Sequence, residues 1–255
     1  MIQLEHLTRK YGDKVAVSDL HLEIPSGQLF ACLGPNGAGK TTTIKMMVGL
    51  LEPTAGRIQL CGIDAVQERR EANRLLGFVP DQPYLYEKLS GREFLEFVGE
   101  LFGMDARHIA AGIDEQVEAF ELAKFVDHLT ESYSHGMKQR LAFAAALLHQ
   151  PRILVLDEPM VGLDPRSMRM VKDLLQVVAR RGTTVFMSTH TLSIAEEIAD
   201  RIGVIDRGRL LFLGTVRELR AHLSLGDESL EHLYLRLTES VAEEVAPSRL
   251  GAAGE

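Results

Sequence analysis

Gly34-Pro35-Asn36-Gly37-Ala38-Gly39-Lys40-Thr41-Thr42 fits the phosphate-loop pattern G-x-x-x-x-G-K-[ST] at Gly34, Gly39, Lys40 and Thr41. Its glycines let successive backbone N–H groups turn inward as an anion nest, which side chains with a Cβ would obstruct. The flanks are in the required order. Gln28 to Leu33 is a short apolar run suited to a buried strand, and Thr41 to Leu51 reads as a helix with Pro53 just beyond it. The start of that helix would add its unpaired N–H groups and positive dipole end to the nest. Lys40 supplies a cation for terminal phosphates and Thr41 a hydroxyl for Mg²⁺, so the stretch predicts a nucleotide site on an α/β sheet.

The whole chain agrees with that class. It has 255 residues, 45% hydrophobic and 25% charged, an ordinary globular composition that excludes a disordered protein. The net charge of -8, with no long Lys/Arg run, argues against nucleic acid as the main partner. Ile2 to Leu7 alternates as a strand with no signal-like segment before it, so a cytoplasmic location is expected. The longest apolar stretch, Leu141 to Leu148, is far short of the ~18 residues a spanning helix needs. Cys32 and Cys61 lack metal-site spacing and read as buried thiols in a reducing compartment.

Before the loop, Ile2 to Leu7, Val15 to Val17 and Leu20 to Ile24 predict a small antiparallel flap, turning at Tyr11-Gly12-Asp13. Tyr11 is either a ring that stacks on a base or an ordinary packed tyrosine. After the loop, Gly56 to Gly62 reads as a strand, Val66 to Leu75 as a polar helix and Leu76 to Pro80 as a strand. That strand runs into a Pro-rich loop where Gln82 offers an amide to Mg²⁺ or water; read locally, a surface turn is the simpler account. From Ser90 the pattern becomes helical. Ser90 to Glu93 fits a capping box, a second helix is predicted from Asp114 to about Phe125, and no strand signal appears between Glu87 and Gln150. Ser134 and Gly136 precede a helix predicted over Leu141 to Leu148, where Ser134 reads locally as a plain N-cap.

Ile153 to Leu156 is a continuous apolar run expected of a central parallel strand, and it delivers Asp157 and Glu158 to its carboxyl end. Ligands bind at that edge of α/β sheets, where Asp157 can hold Mg²⁺ and Glu158 can polarise a water. Val161 to Pro165 is a turn leading into a helix to about Val178, and the strand Thr183 to Thr189 ends at His190. The last two strands, Ile202 to Ile205 and Leu210 to Leu213, flank the turn Asp206-Arg207-Gly208. Leu230, Leu233, Leu235 and Leu237 follow among charges, and residues 241–255 are expected to be a disordered tail.

Taken together, these motifs resemble the ATP-binding subunit of an ABC transporter over nearly the whole chain. The loop from Gly34 is similar to Walker A, Ile153 to Glu158 to Walker B with its glutamate, and Tyr133 to Met137 stands at the signature position. Tyr11, Gln82, Asp164 and His190 match the adenine-stacking, Q-loop, D-loop and switch-histidine positions in order. The resemblance implies ATP and Mg²⁺, with Pro35, Asn36, Gly37, Ala38 and Thr42 in the nucleotide cradle. Thr41, Gln82 and Asp157 would then ligate the metal, and Glu158, His190 and Lys40 would serve catalysis. It also implies that Ser134, His135, Gly136 and Met137 meet ATP held by a second such subunit, with Asp164 at the dimer contact. Tyr133, His135 and Met137 depart from the family's Leu-Ser-Gly-Gly-Gln, a variant resembling the branch whose permeases export drugs, antibiotics or polysaccharides.

The implied organisation is a P-loop NTPase core with its antiparallel flap over 1–86 and 151–215, a helical signature subdomain over 87–150, and a C-terminal extension over 216–240. The implied partners are a second ATP-binding subunit, either another copy or a related chain, and a transmembrane permease at the inner face of the membrane. A soluble ATPase of the same family serving a non-transport assembly is the alternative. The tandem domains of translation members and the coiled coils of repair members are absent from the sequence, as is a guanine-selecting Asn-Lys-x-Asp.

Overall fold

The computed structural model describes residues 1–222. The leucines after Gly226 and the tail 241–255 lie outside the described residues. The segment before the phosphate loop forms a hairpin of β1 (Ile2–Tyr11) and β2 (Lys14–Ile24), with Tyr11 paired to Lys14 across the turn. Both strands are longer than the pattern predicts, because bulges shift their inward–outward alternation partway along. Next come β3 (Leu29–Leu33), α1 (Lys40–Met47), β4 (Ala55–Leu60), β5 (Ile63–Asp64), α2 (Arg69–Arg74) and β6 (Leu76–Val79). Helix α1 stops well before Leu51: Gly49 takes a left-handed φ of 73°, and the N–H groups of Gly49 and Leu50 turn back to the Met46 and Lys45 carbonyls.

Three helices follow: α3 (Gly91–Leu101), α4 (Ala106–Ala119) and α5 (His135–Leu147). Ser90 and Glu93 close the capping box on α3 through bonds of 3.2 and 2.7 Å. Helix α4 begins earlier than the expected Asp114. Its cap is Asp105, whose carboxylate accepts from the N–H groups of Arg107 and His108, and Ile109 and Ile113 lie buried beneath it. It ends before Phe125 because Glu121 turns left-handed at φ 51°. Helix α5 starts at His135, a turn and a half ahead of the expected Leu141.

The chain then completes its main sheet with β7 (Ile153–Asp157), β8 (Thr184–Thr189), β9 (Arg201–Asp206) and β10 (Arg209–Gly214), interleaved with α6 (Pro165–Arg180) and α7 (Leu192–Ile198) and followed by α8 (Val216–His222). The strand order is β10-β9-β3-β8-β7-β6, all neighbours parallel except β10 against β9. A second, antiparallel sheet of order β2-β1-β4-β5 forms the flap.

Alternation along the central strands divides the core in two. Leu29, Ala31 and Leu33 face one apolar cluster with Leu154, Leu156 and the helices α3 to α6. Phe30 and Cys32 face the other, with α1 and the flap residues Ile2, Leu4 and Ile58. Phe143 of α5 is fully buried and stacked on Phe120 at 5.9 Å, so α5 is anchored from within. Each such side chain contributes roughly 1.5–3 kcal/mol by burial.

His149, just after α5, is stacked on Phe102 at 3.6 Å and bonds the Leu76 carbonyl through Nε2 at 2.9 Å. Burial lowers its pKa from 6.5 to about 4. Between those values the unfolded chain binds a proton that the folded chain refuses, so stability falls as pH drops through that window. The expected loss is about 3 kcal/mol. Urea unfolding at pH 7 and pH 4.5 captures about 2 kcal/mol of it, and His149→Gln, which keeps a donor for Leu76, should show a smaller difference. Equal differences would contradict the assignment.

Candidate active site

The parallel register brings three strand ends to one edge. β3 delivers the phosphate loop, β7 delivers Asp157 and Glu158, and β8, with Ser188 beside Asp157, delivers His190. Two glycines make the loop's path possible. A Cβ on Gly34 would collide with the Ile205 carbonyl, and Gly39 has φ 112° with its Cβ position 2.6 Å from the Ala16 carbonyl oxygen. The β9–β10 turn supports the loop from behind: the Gly208 N–H donates to Ala38 O at 2.8 Å, and Gly208 O accepts from the Ser18 N–H at 2.8 Å.

Lys40 is buried, and its ammonium donates to Gly34 O at 2.7 Å and Pro35 O at 3.2 Å. It also lies 3.4 Å from Glu158 Oε1. Thr41 Oγ1 donates to Asp157 Oδ1 at 3.2 Å, and Ser188 Oγ donates to the same oxygen at 2.6 Å. Ser188 Oγ in turn accepts the Glu158 N–H at 2.9 Å. This buried hydroxyl therefore ties the two acidic residues together, a role no local sequence signal discloses because only the β7–β8 register creates it.

Glu158 adopts φ 48°, a left-handed conformation that costs on the order of 1–3 kcal/mol in a residue with a side chain. The turn swings its carboxylate across to β8, where Oε2 accepts from His190 Nδ1 at 2.9 Å and from the His190 N–H at 3.3 Å. Oε1 is buried and receives no hydrogen bond; Lys40 is its ion-pair neighbour. Such an oxygen can take a proton or hold a water.

Lys40, Thr41 and Glu158 open into a cavity of about 660 Å³, while Asp157, Ser188 and His190 do not line it. Lys40, Thr41, Thr42 and Glu158 line it, with Pro35, Asn36, Gly37 and Gly39 in the loop wall. Tyr11, Val15 and Arg207 line the rest, together with Lys14 and Asp81. Tyr11 is the last residue of β1, half exposed, with the Arg9 guanidinium 4.7 Å from its ring centre. Lys14 and Arg207 are not legible as site residues, since the hairpin and the β9–β10 turn approach the loop only in the folded chain; Asp81 comes from the loop after β6. Gln82 is exposed and does not line the cavity, although its neighbour Asp81 does.

Ser134, His135, Gly136, Met137 and Asp164 do not line this cavity either. Ser134 caps α5 by accepting the Met137 N–H at 3.4 Å, and a Cβ on Gly136 would meet open space. His135 Nε2 donates to Val161 O at 3.2 Å, joining the start of α5 to the turn before α6. Asp164 caps α6, and its bonds from Ser167 and Arg166 hold its carboxyl below the usual range.

A phosphate loop beside an acidic strand end, both on the carboxyl edge of a parallel sheet, is the architecture of a P-loop nucleotide hydrolase. More specifically, the chain belongs to the ABC transporter family, whose profile, described as "ABC transporter", matches residues 17–161. It is 41% identical over 220 residues to "Daunorubicin resistance ATP-binding protein DrrA3" of Streptomyces coeruleorubidus, covering 86% of this chain and 70% of that relative. The solved "Structure of ATP binding subunit of ABC transporter" superposes with a TM-score of 0.88 at 29% identity, covering 93% of this chain and 99% of the other. A second solved structure is a dimeric, post-hydrolysis ATP-binding cassette bound to ADP and Pi. It has a TM-score of 0.77 at 27% identity and covers 85% of this chain and 99% of its own. As a member of this family the chain is an ATP-binding, ATP-hydrolysing subunit.

Proposed function

We propose that this chain powers an exporter of drug-like compounds by hydrolysing ATP between two copies of itself and driving a separate permease. The observation that carries the catalytic part is Glu158 Oε1, buried, free of hydrogen-bond donors and 3.4 Å from Lys40, both residues lining the cavity. Tyr11 stacks against the adenine, and the loop from Gly34 to Thr42 cradles the phosphates with its N–H groups. Thr41 Oγ1 and Asp157 Oδ1, 3.2 Å apart, form an oxygen pair of the kind a hard dication accepts. They would hold Mg²⁺, with Gln82 joining them after movement of its loop, and the ion would offset charge on the phosphoryl oxygens.

Glu158 orients the attacking water and accepts its proton at Oε1, while Ser188 and His190 keep the carboxylate aimed. Lys40 neutralises charge on the terminal phosphate, and His190 follows that phosphate through its bond to Glu158. Ser134 and Gly136 of one copy complete the site of the other, with His135 and Met137 beside them and Asp164 at the contact. Their position outside this chain's own cavity and the dimeric cassette relative support that arrangement. The resistance-protein relative and the variant signature support export.

No helix among the described residues is long and apolar enough to cross a membrane, and the permease is assigned to a separate chain. A groove of about 380 Å³ beside the Gln82 loop supports docking of a permease at the inner membrane face. Leu50 and Tyr84 line it with their side chains largely exposed, and Phe94 and Phe102 form its floor. The test is mild detergent extraction of native membranes with the tagged chain, followed by identification of stoichiometric partners. A multi-spanning protein is expected. Recovery only with soluble partners would overturn the transport reading and leave the ATPase standing.

A further inference from the structure

Outside the nucleotide cavity, the flap gathers His6, Asp19 and His21, whose donor atoms all lie within 4.8 Å of one another. Two bulges on opposite strands bring this about. Between the pairs Leu4↔Leu22 and Leu7↔Leu20, β1 carries one extra residue; between Leu7↔Leu20 and Arg9↔Val17, β2 carries one extra. His6 sits in the first bulge and Asp19 in the second, both left-handed with φ 49° and 50°. Thr8 braces the pair, accepting the Asp19 N–H at 3.0 Å and donating to His6 O at 3.4 Å. The bulges thus turn His6 and Asp19 toward His21.

The contacts cannot all be hydrogen bonds. His6 Nδ1 lies 2.7 Å from Asp19 Oδ1 and 2.8 Å from His21 Nε2. A ring nitrogen has one in-plane valence, either an N–H or a lone pair, so it can make a single linear bond. No placement of protons gives both contacts a bond of their own. Replacing the protons with one cation does, because each nitrogen and the carboxylate then contribute a lone pair to it.

We propose that His6, Asp19 and His21 form a binding site for a divalent late first-row transition metal such as Zn²⁺, with water as the remaining ligand. Two imidazoles and one carboxylate suit borderline-soft cations better than Mg²⁺ or Ca²⁺. Tetrahedral coordination at 2.0–2.2 Å places ligand atoms about 3.3 Å apart. The observed separations of 2.7, 2.8 and 3.7 Å bracket that value, and small rotations of the side chains equalise them. All three side chains are more than half exposed, so the ion has direct access and room for water. Bound there, it cross-links β1 to β2 at their two bulges.

The test titrates the chelator-stripped full chain with Zn²⁺ against a chromophoric chelator, and with Co²⁺ followed by visible absorption, both without nucleotide. His21→Gln and Asp19→Asn should each weaken the site by more than about tenfold and abolish its Co²⁺ bands. Asn tolerates the left-handed backbone at position 19, so that variant keeps the bulge. His108→Ala, which removes a histidine paired only with Asp105, should leave both readouts unchanged. ATP binding by every variant confirms folding. A wild type that binds Zn²⁺ no more tightly than His21→Gln and Asp19→Asn, or that gives no Co²⁺ bands they lack, overturns the proposal.

Discussion

Glu158→Gln should cut ATP turnover by roughly 10²- to 10⁴-fold while leaving ATP binding intact. The substitution preserves shape. The Glu158 N–H still reaches Ser188, and an amide oxygen can still accept from His190 Nδ1, so the left-handed turn after β7 keeps both anchors. What disappears is the proton affinity and charge of Oε1, the oxygen that no donor occupies. Steady-state phosphate release together with nucleotide titration separates the two quantities. Unchanged turnover would remove Glu158 from the chemistry, and lost binding would assign it to the nucleotide cradle instead.

Lys40→Ala should do the reverse and weaken nucleotide binding first. Its ammonium is almost fully enclosed, held by two loop carbonyls and one carboxylate, so no neighbouring cation can take its place. A charge-assisted hydrogen bond contributes about 1.5–3 kcal/mol, which is roughly a 10- to 100-fold loss of ATP affinity. Removing the cation also takes away the ion-pair neighbour of Glu158 Oε1 and the charge that faces the terminal phosphate, so turnover should fall as well. Titration with a fluorescent ATP analogue reads the first effect. Lys14→Ala, at the exposed rim of the same cavity, should change affinity much less. Equal losses for the two variants would contradict the role given to Lys40.

The sequence disclosed those parts of the site that lie at strand ends, because an apolar run followed by a polar residue locates itself. β3 with its loop, β7 with Asp157 and Glu158, and β8 with His190 are all of this kind. It did not disclose what tertiary register creates. Ser188 looks like any strand serine until β8 pairs with β7, and Arg207 lies far from the loop in sequence. The early start of α4 rests on the Asp105 cap, and the apolar pattern just after it is too weak to read as a helix face. Helices α7 and α8 are too short for periodicity to separate them from turns. The double bulge that brings His6 and Asp19 together breaks the period-two pattern of its strands and leaves no simple signature.

In the proposed function the cavity holds ATP and is completed by Ser134 and Gly136 of a second copy. Sedimentation of Glu158→Gln with and without saturating Mg-ATP tests it most directly, since slow hydrolysis preserves the ATP-bound pair. A dimer that forms only with ATP, and that Ser134→Ala weakens, is the predicted result. A chain that binds ATP yet stays monomeric at saturation would contradict the claim.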